Sequence, residues 1–485
     1  MKQFSTLLQK VAIVTRAGAE EAEIGNLCYD SRCVEPGSCF FAVKGTATDG
    51  HRFISMAIEH GAVAIVCQNL PEQIDPRVAY AVVTDSEQAM ALMAAAFYGD
   101  PSRELKLVGV TGTNGKTTTA TLLYELVRKL GYRAGLISTV VYKIDEREVA
   151  STHTTPDTIR LNRMIREMVD AGCDYCFMEC SSHAIVQQRT YGLHFAGGLF
   201  SNLTHDHLDY HKTFAEYLKA KKGFFDLLPK EAFAITNADD RNGAVMVQNC
   251  RAHIKNYSLR SIADYRCKII EMHLDGMLLQ LDGHEIWSSL TGRFNASNLL
   301  AVYATALELG FDSAETLTAM SLLQPVSGRF ECIRATNGVI AVVDYAHTPD
   351  ALENVLQTID EIRTAANSLI VVCGCGGNRD CEKRPIMARI AATHATTTIL
   401  TSDNPRHEDP ETILDEMEQG IPTGSRYLRI TDRAAAIRTA VMLAHEGDVI
   451  LVAGKGHENY QIIGDVKHPF DDCEELRKAF QGVRN

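Results

Sequence analysis

Leu105-Lys106-Leu107-Val108-Gly109-Val110-Thr111-Gly112-Thr113-Asn114-Gly115-Lys116-Thr117-Thr118 is the stretch of this 485-residue chain whose reading decides the fold. Its apolar, β-branched first half predicts a strand over 105–110. A Gly-rich turn follows, and then a helix is predicted over 116–130. In that setting backbone N–H groups wrap phosphate oxygens, and the helix N-terminus adds positive potential. Lys116 would reach the β- and γ-phosphates of ATP, with the Thr117 hydroxyl helping to hold Mg²⁺. The spacing G-x-x-x-x-G-K-[ST] fails by one residue: Val110 stands where the first glycine belongs, and Gly109 comes one too early.

Outward from this loop, strand-like runs at Tyr175 to Met178 and Ala232 to Asn237 alternate with helical stretches, which predicts a mostly parallel sheet covered on both faces. A third block starts near Pro325 to Arg329. Its strands are expected at Val339 to Asp344, Ser368 to Cys373, Thr398 to Thr401 and Asp448 to Ala453, a second α/β unit of Rossmann-like type. Before the loop, short strands are expected at Ser38 to Val43, Ala62 to Cys67 and Tyr80 to Val83. A helix over 86–98, with Ser86 as N-cap and Gly99 as stop, leads to a linker at Pro101-Ser102. The fold class is therefore α/β in three domains. Residues 1–100 form a small N-terminal α/β domain, 101–328 a central P-loop-type mononucleotide-binding domain, and 329–485 a C-terminal Rossmann-like domain. A length of 485 residues agrees with about three domains.

With 48 Lys+Arg against 61 Asp+Glu, the net charge is −13. Such a chain is a poor non-specific partner for nucleic acid or an anionic membrane. Hydrophobic residues at 46% exclude wholesale disorder. No apolar run reaches the length of a membrane span, and the N-terminus lacks a signal-peptide pattern. The 14 cysteines are scattered, which predicts reduced thiols in a cytoplasm. The one CxxC, Cys173 to Cys176, lies in an apolar segment and reads as buried structural cysteines.

Two further clusters carry chemistry. Thr204-His205-Asp206-His207-Leu208-Asp209-Tyr210-His211 comes close to H-x-H-x-D-H, the dinuclear signature of metallo-β-lactamase-like hydrolases, but its last histidine is one residue late. That reading leaves the phosphate loop unexplained, whereas a histidine helping a second Mg²⁺ beside ATP does not; surface or capping histidines are the third possibility. Met178-Glu179-Cys180-Ser181-Ser182-His183 follows a predicted strand, so Glu179 sits at a carboxyl end where α/β sites gather. Its carboxylate suits a hard cation, or equally a salt-bridged strand end.

Taken together, these motifs resemble the Mur ligases, and among them the members that add the third amino acid to the UDP-linked muramyl peptide. The likeness covers nearly the whole chain: Asp30-Ser31-Arg32, the loop from Thr111, Met178 to His183, Asp206 to Asp209, Asp344-Tyr345-Ala346-His347-Thr348-Pro349, Asp403-Asn404-Pro405-Arg406 and Gly454-Lys455-Gly456-His457-Glu458. The resemblance implies a catalytic set of Lys116, Glu179, His207 and Lys221, with Lys221 carried as an N-carbamate. Lys219 and Lys222 are close enough to leave the register open. A carbamate turns a cation that would repel Mg²⁺ into an anion that can orient it. Thr117, Glu179, His207 and Lys221 would surround the metal.

By the same resemblance, Gly112, Thr113, Asn114, Gly115, Lys116, Thr117, Thr118, Asn295, Asn298, Arg329 and Asp344 contact ATP. Without it, Asn298 reads as an ordinary helix residue and Arg329 as a surface charge. Tyr29, Ser31, Thr46, Ala47 and Thr48 would hold the uridine end of a UDP-muramyl dipeptide; Thr154, Thr155, Ser181, Gln187 and Arg189 would hold its peptide portion. Arg379, Asp403, Asn404, Pro405, Arg406, Gly454 and Glu458 would hold the incoming amino acid. The arginine in Asp403-Asn404-Pro405-Arg406 resembles the form found in enzymes that add meso-diaminopimelate, since an Arg fork binds the extra carboxylate bidentately. The expected activity is an ATP- and Mg²⁺-dependent amide ligation by a cytoplasmic monomer. A lysine-adding relative and a nucleotide-dependent binding module without ligase chemistry are the alternatives.

Overall fold

The computed structural model describes residues 1–45, 48–151, 153–204, 206 and 208–482, apart from the side chains of 208 and 209. Among them the chain builds three main sheets. The central one is organised by strand Lys106–Thr111, which lies between the parallel strands Tyr175–Glu179 and Phe195–Phe200. Leu107, Val108 and Val110 are fully buried there, which is why the run is continuously apolar. Helix Lys116–Lys129 follows, burying Leu122, Leu123, Leu126 and Val127 on one face and ending in Arg128 and Lys129, which complement the helix dipole.

After Tyr175–Glu179 the chain crosses to the far side of Lys106–Thr111, so the strand order reverses there. Loops at such a reversal diverge and leave a crevice at the strands' carboxyl ends. The core of this sheet is parallel, as expected, but both edges carry antiparallel additions. Hairpin Val141–Ile144 and Arg147–Ala150 extends one edge, and the meander Tyr265–His273, Gly276–Leu281, His284–Ser288 extends the other. The meander carries a strong hairpin signal, Asp282-Gly283 between Leu281 and His284, whereas the Asp145-Glu146 turn of the other hairpin does not; none of these strands is among those expected above.

The first sheet orders Ile13–Gly18, Ala79–Val83, Ala62–Cys67, Ser38–Phe41 and Asn26–Cys28. Two expectations at its end need correction. Asp85, not Ser86, caps helix Ser86–Phe97: its carboxylate accepts the N–H groups of Glu87 and Gln88. Aspartate caps as well as serine and adds a favourable charge at the positive helix end. Pro101 and Ser102 are no exposed linker either; they begin a buried 3₁₀ turn, and the Ser102 hydroxyl accepts the His194 N–H at 2.9 Å.

The third sheet is parallel except for its first strand, Glu331–Arg334. Its order runs through Ile340–Asp344, Val449–Ala453, Leu369–Cys373, Thr397–Leu400 and Tyr427–Arg429. A buried ion pair joins its helices: Arg433 donates to both carboxylate oxygens of Asp472, each at 2.8 Å, with both residues shut off from solvent. Removing one partner strands the other charge in the core. Asp472→Asn is therefore expected to destabilise this unit by about 3–5 kcal/mol, read as a drop in its calorimetric unfolding transition.

Candidate active site

The carboxyl ends of the central and third sheets supply two adjoining cavities. The first, of about 280 Å³, is lined by the loop Thr113 to Thr118, by Glu179 and Lys221, and by Asn298, Arg329 and Asp344. Gly112 and Gly115 are obligatory in the loop. A Cβ on Gly112 would stand 2.0 Å from Ser201 Oγ, and one on Gly115, at φ +86°, 2.6 Å from Asn298 Oδ1. No side chain caps the helix that starts at Lys116, so its first N–H groups are left for an anion. Val110, at the apparent spacing fault, is simply the strand residue paired with Glu179 and Leu199.

Two lysines, Lys221 buried and Lys116 half-buried, meet at one carbonyl. Lys116 Nζ donates to the oxygens of Gly112 and Thr113 at 3.0 and 2.7 Å, and Lys221 Nζ donates to the same Gly112 oxygen at 2.6 Å. Burial, and then the charge of Lys116, push the Lys221 ammonium well below the ordinary lysine range. The register on helix Phe214–Asp226 is now clear: Lys219 is exposed, and Lys222 pairs with Asp226 at 2.6 Å. Only Lys221 faces the cavity.

Glu179 is fully buried, its Oε1 accepting the Thr139 N–H at 2.7 Å and its Oε2 facing the Thr139 hydroxyl at 3.3 Å. Burial pushes Asp344 up to about 6, against the opposing pull of Arg329, and its Oδ2 accepts the Phe330 N–H at 2.7 Å. Arg329 is no surface charge. It donates to Thr117 Oγ1 at 3.2 Å and lies over the Tyr345 ring at 4.6 Å, and its buried Nε has no hydrogen-bond partner among the described residues. Asn298 lines the cavity, whereas Asn295 stands behind it, accepting from Asn298 Nδ2 at 3.2 Å and donating to Thr291 O at 2.8 Å.

The second cavity, of about 760 Å³, is lined by Arg379, Asp403, Asn404, Arg406, Gly454 and Glu458 among others. Pro405 is buried beneath the loop and does not line it. Arg406 uses one nitrogen, Nη1, on the carbonyls of Gly377 and Asn404 at 2.8 and 3.4 Å. Among the described residues its Nε and Nη2 make no hydrogen bond, so half of the guanidinium fork is left for a carboxylate. Glu458 Oε2 accepts from buried Lys455 at 3.0 Å and from Asn404 Nδ2 at 2.7 Å.

Backbone strain gathers around these residues. Gln188, Phe330, Asn378 and Arg406 all adopt left-handed φ near +50°, and each is, or adjoins, a candidate site residue. Arg406 is held there by the hairpin Tyr460–Pro469: its N–H donates to Ile462 O, and its carbonyl accepts from Gly464.

Toward the first sheet, Thr155 donates to Glu179 O at 2.7 Å and accepts the Ser181 N–H at 3.3 Å. Arg189 Nη1 donates to Thr155 O at 2.6 Å and is braced by Gln187 Oε1. Thr154 lines both cavities. Tyr29, 45% exposed, lies close enough to Asp157 and Arg189 to feel their charges, and buried Ser31 opens the turn capped by Asp30. Thr48 is exposed, while Thr46, Ala47 and His207 lie outside the described residues. His211, the histidine that the hydrolase motif would want one position earlier, is a core residue bonded to Ser182 Oγ at 2.9 Å.

Some residues escaped the sequence. Thr139 holds Glu179, and Asn202 Oδ1 accepts the Asn114 N–H at 2.9 Å. Asp350 accepts from Asn114 Nδ2 at 2.8 Å, tying the third unit to the phosphate loop. Lys455 was visible only as a motif letter. None of these positions carries a spacing that singles it out; only their folded neighbours do.

Comparison with known proteins agrees with this geometry. Three family profiles match in order: "Mur ligase family, catalytic domain" at residues 23–98, "Mur ligase middle domain" at 110–306, and "Mur ligase, glutamate ligase domain" at 328–456. A UDP-N-acetylmuramoyl-L-alanyl-D-glutamate–2,6-diaminopimelate ligase from Phocaeicola vulgatus is 54% identical over 476 residues, covering 98% of each chain. A protein of the same name from Listeria monocytogenes is 42% identical, covering 99% of each. A solved structure of a ligase so named superposes with a TM-score of 0.69 at 34% identity, covering 95% of this chain and 96% of that one. The chain belongs to the Mur ligase family.

Proposed function

We propose that this chain joins meso-diaminopimelate to the D-glutamate γ-carboxylate of UDP-N-acetylmuramoyl-L-alanyl-D-glutamate, using ATP. The observation that carries the reading is the junction of a phosphate-loop cavity with a second cavity that offers half of the Arg406 fork. Residues 1–100 would hold the uridine end, 101–328 ATP, and 329–485 the amino acid. The relatives' names and their full-length coverage support the same assignment.

In this mechanism the γ-carboxylate attacks the γ-phosphoryl of ATP in line, giving an acyl phosphate and ADP. Lys116 and the loop N–H groups hold the charge that spreads over the phosphoryl oxygens. The Thr117 hydroxyl and the buried Glu179 carboxylate are hard oxygen donors that fit Mg²⁺; with His207 and a carbamate on Lys221 they are the groups assigned to it. When bound, Mg²⁺ supplies neutralisation of the phosphate charge. Lys221 suits carbamylation, because burial lowers its amine below the ordinary lysine range and so favours the neutral nucleophile that CO₂ requires. The product anion relieves the repulsion from Lys116. The amine of diaminopimelate then displaces phosphate from the acyl carbon. No described helix is long and apolar enough to cross a membrane; a cytoplasmic monomer is part of the proposal.

Phosphate release from ATP with the UDP-muramyl dipeptide should appear with meso-diaminopimelate and not with L-lysine. Lysine would leave Arg406 unpaired. Release with lysine alone would discard the specificity, and silence with both would discard the ligase. Arg406→Met is expected to lower kcat/KM for diaminopimelate by about tenfold to a hundredfold, the loss of charge-assisted hydrogen bonds. For Lys221, ¹³C-bicarbonate should give a carbamate carbon resonance that Lys221→Ala lacks; an identical resonance in both proteins would remove that role.

A further inference from the structure

The two cavities share four lining residues: Thr154, Asp206, Tyr345 and His347. A group at this junction faces both the activated carbonyl and the incoming amine. The amine has two protons to lose. One leaves the ammonium before attack, to solvent. The second must leave after the neutral nitrogen bonds to the acyl carbon, when the nitrogen is positive and the carbonyl π pair rests on oxygen. That pair then re-forms the carbonyl, the carbon–oxygen bond to phosphate breaks, and phosphate departs with its electrons.

Three of the four junction residues are poor acceptors for the second proton. Thr154 is a hydroxyl 3.1 Å from that of Thr139, and burial pushes the Tyr345 phenol up, so that it stays protonated. Asp206 feels the Lys116 and Lys221 side chains as well as the His347 ring, so its carboxylate already serves as counter-charge to the lysines of the phosphate loop. His347 differs. Its Nδ1 lies 2.9 Å from the Tyr345 carbonyl oxygen, which can only accept, so Nδ1 carries the hydrogen and Nε2 the lone pair. Among the described residues no hydrogen bond holds Nε2. The backbone is pinned as well, since Lys383 Nζ donates to the His347 carbonyl at 2.9 Å. The charged and titratable groups around the ring are Lys383, Asp206, Arg329, Tyr345 and His457. Burial, and then Lys383, hold the imidazole below its ordinary range, so it is neutral at neutral pH and readily sheds an acquired proton.

We infer that His347 Nε2 accepts the proton that the attacking nitrogen loses as the amide forms, and so serves the amine half of the reaction rather than the phosphoryl half. The inference rests on the ligase reading above. Two variants test it. His347→Asn keeps an N–H near the Nδ1 position but has nothing at Nε2, and His347→Gln replaces the ring with an amide of similar reach. Both should lose diaminopimelate-dependent amide formation by about 100-fold or more, the contribution of a general base. Hydroxylamine in place of diaminopimelate traps the acyl phosphate as a hydroxamate, and being weakly basic it needs no protein base. Its product should form in both variants at close to the wild-type rate.

Full amide formation by His347→Asn would overturn the inference, leaving the Nδ1 bond to Tyr345 as the ring's purpose. Equal losses of hydroxamate and amide would also overturn it, assigning His347 to the phosphoryl step or to the fold. If the wild-type protein formed hydroxamate from the UDP-muramyl dipeptide but no amide with diaminopimelate, the amino-acid assignment would fall first, independently of the variants.

Discussion

Two lysine Nζ donors on one carbonyl oxygen, those of Lys116 and Lys221 at Gly112, set the terms for the rest of the site. Among the described residues neither lysine has a carboxylate within hydrogen-bonding distance, and Lys221 is buried and Lys116 half-buried, so the arrangement favours negative charge at the loop. The polyphosphate, carbamate and acyl phosphate of the proposed reaction would all supply it. The loop itself is rigid because Gly112 and Gly115 pack against Ser201 and Asn298 with no room for a side chain. The lysines therefore cannot relax apart by moving the backbone.

Around that fixed charge the third unit acts as the second jaw. Arg329 reaches Thr117, and Asp350 reaches Asn114, so both contacts end on the phosphate loop. Arg329 adds a third cation, its Nε buried and without a partner among the described residues. The same unit carries the larger cavity at the carboxyl ends of its own strands. Two parallel sheets that meet by their carboxyl ends bring two ligand crevices together, which is what joining two molecules requires.

The side proposed for the amino acid is held by structure that does not line the larger cavity. Fully buried Arg384 binds Glu408 and Glu416 and donates to the Gly376 carbonyl, bracing the loops that present Arg379 and Arg406. The left-handed backbone of Arg406 is uphill for a residue with a side chain, and the hairpin behind it holds it there. Lys455 and Asn404 take one oxygen of Glu458, and the other accepts from the Tyr345 hydroxyl at 3.5 Å on the cavity wall. Such support costs conformational freedom, and it makes the spacing between a carboxylate binder and an ammonium binder a fixed length.

The sequence alone determined the alternating strands and helices, the phosphate loop, and the motif letters of both cavities, because these depend on local periodicity and on residues close together in the chain. It placed the strand and helix bounds of the central element almost to the residue. Longer-range facts were beyond its reach. Which of Lys219, Lys221 and Lys222 faces the loop was settled by the buried side of helix Phe214–Asp226. Whether Arg329 is a surface charge was settled by Thr117, 212 positions away. Thr139 and Asp350 have unremarkable local sequence and matter only through partners 40 and 236 positions distant. The edge meander was legible locally, through Asp282-Gly283 between alternating apolar residues, while the Asp85 cap escaped because neighbouring capping residues leave the local choice nearly balanced. Hydrophobic patterning writes the sheet into the sequence; the charge and hydrogen-bond geometry of the site exist only once distant strand ends have been brought together.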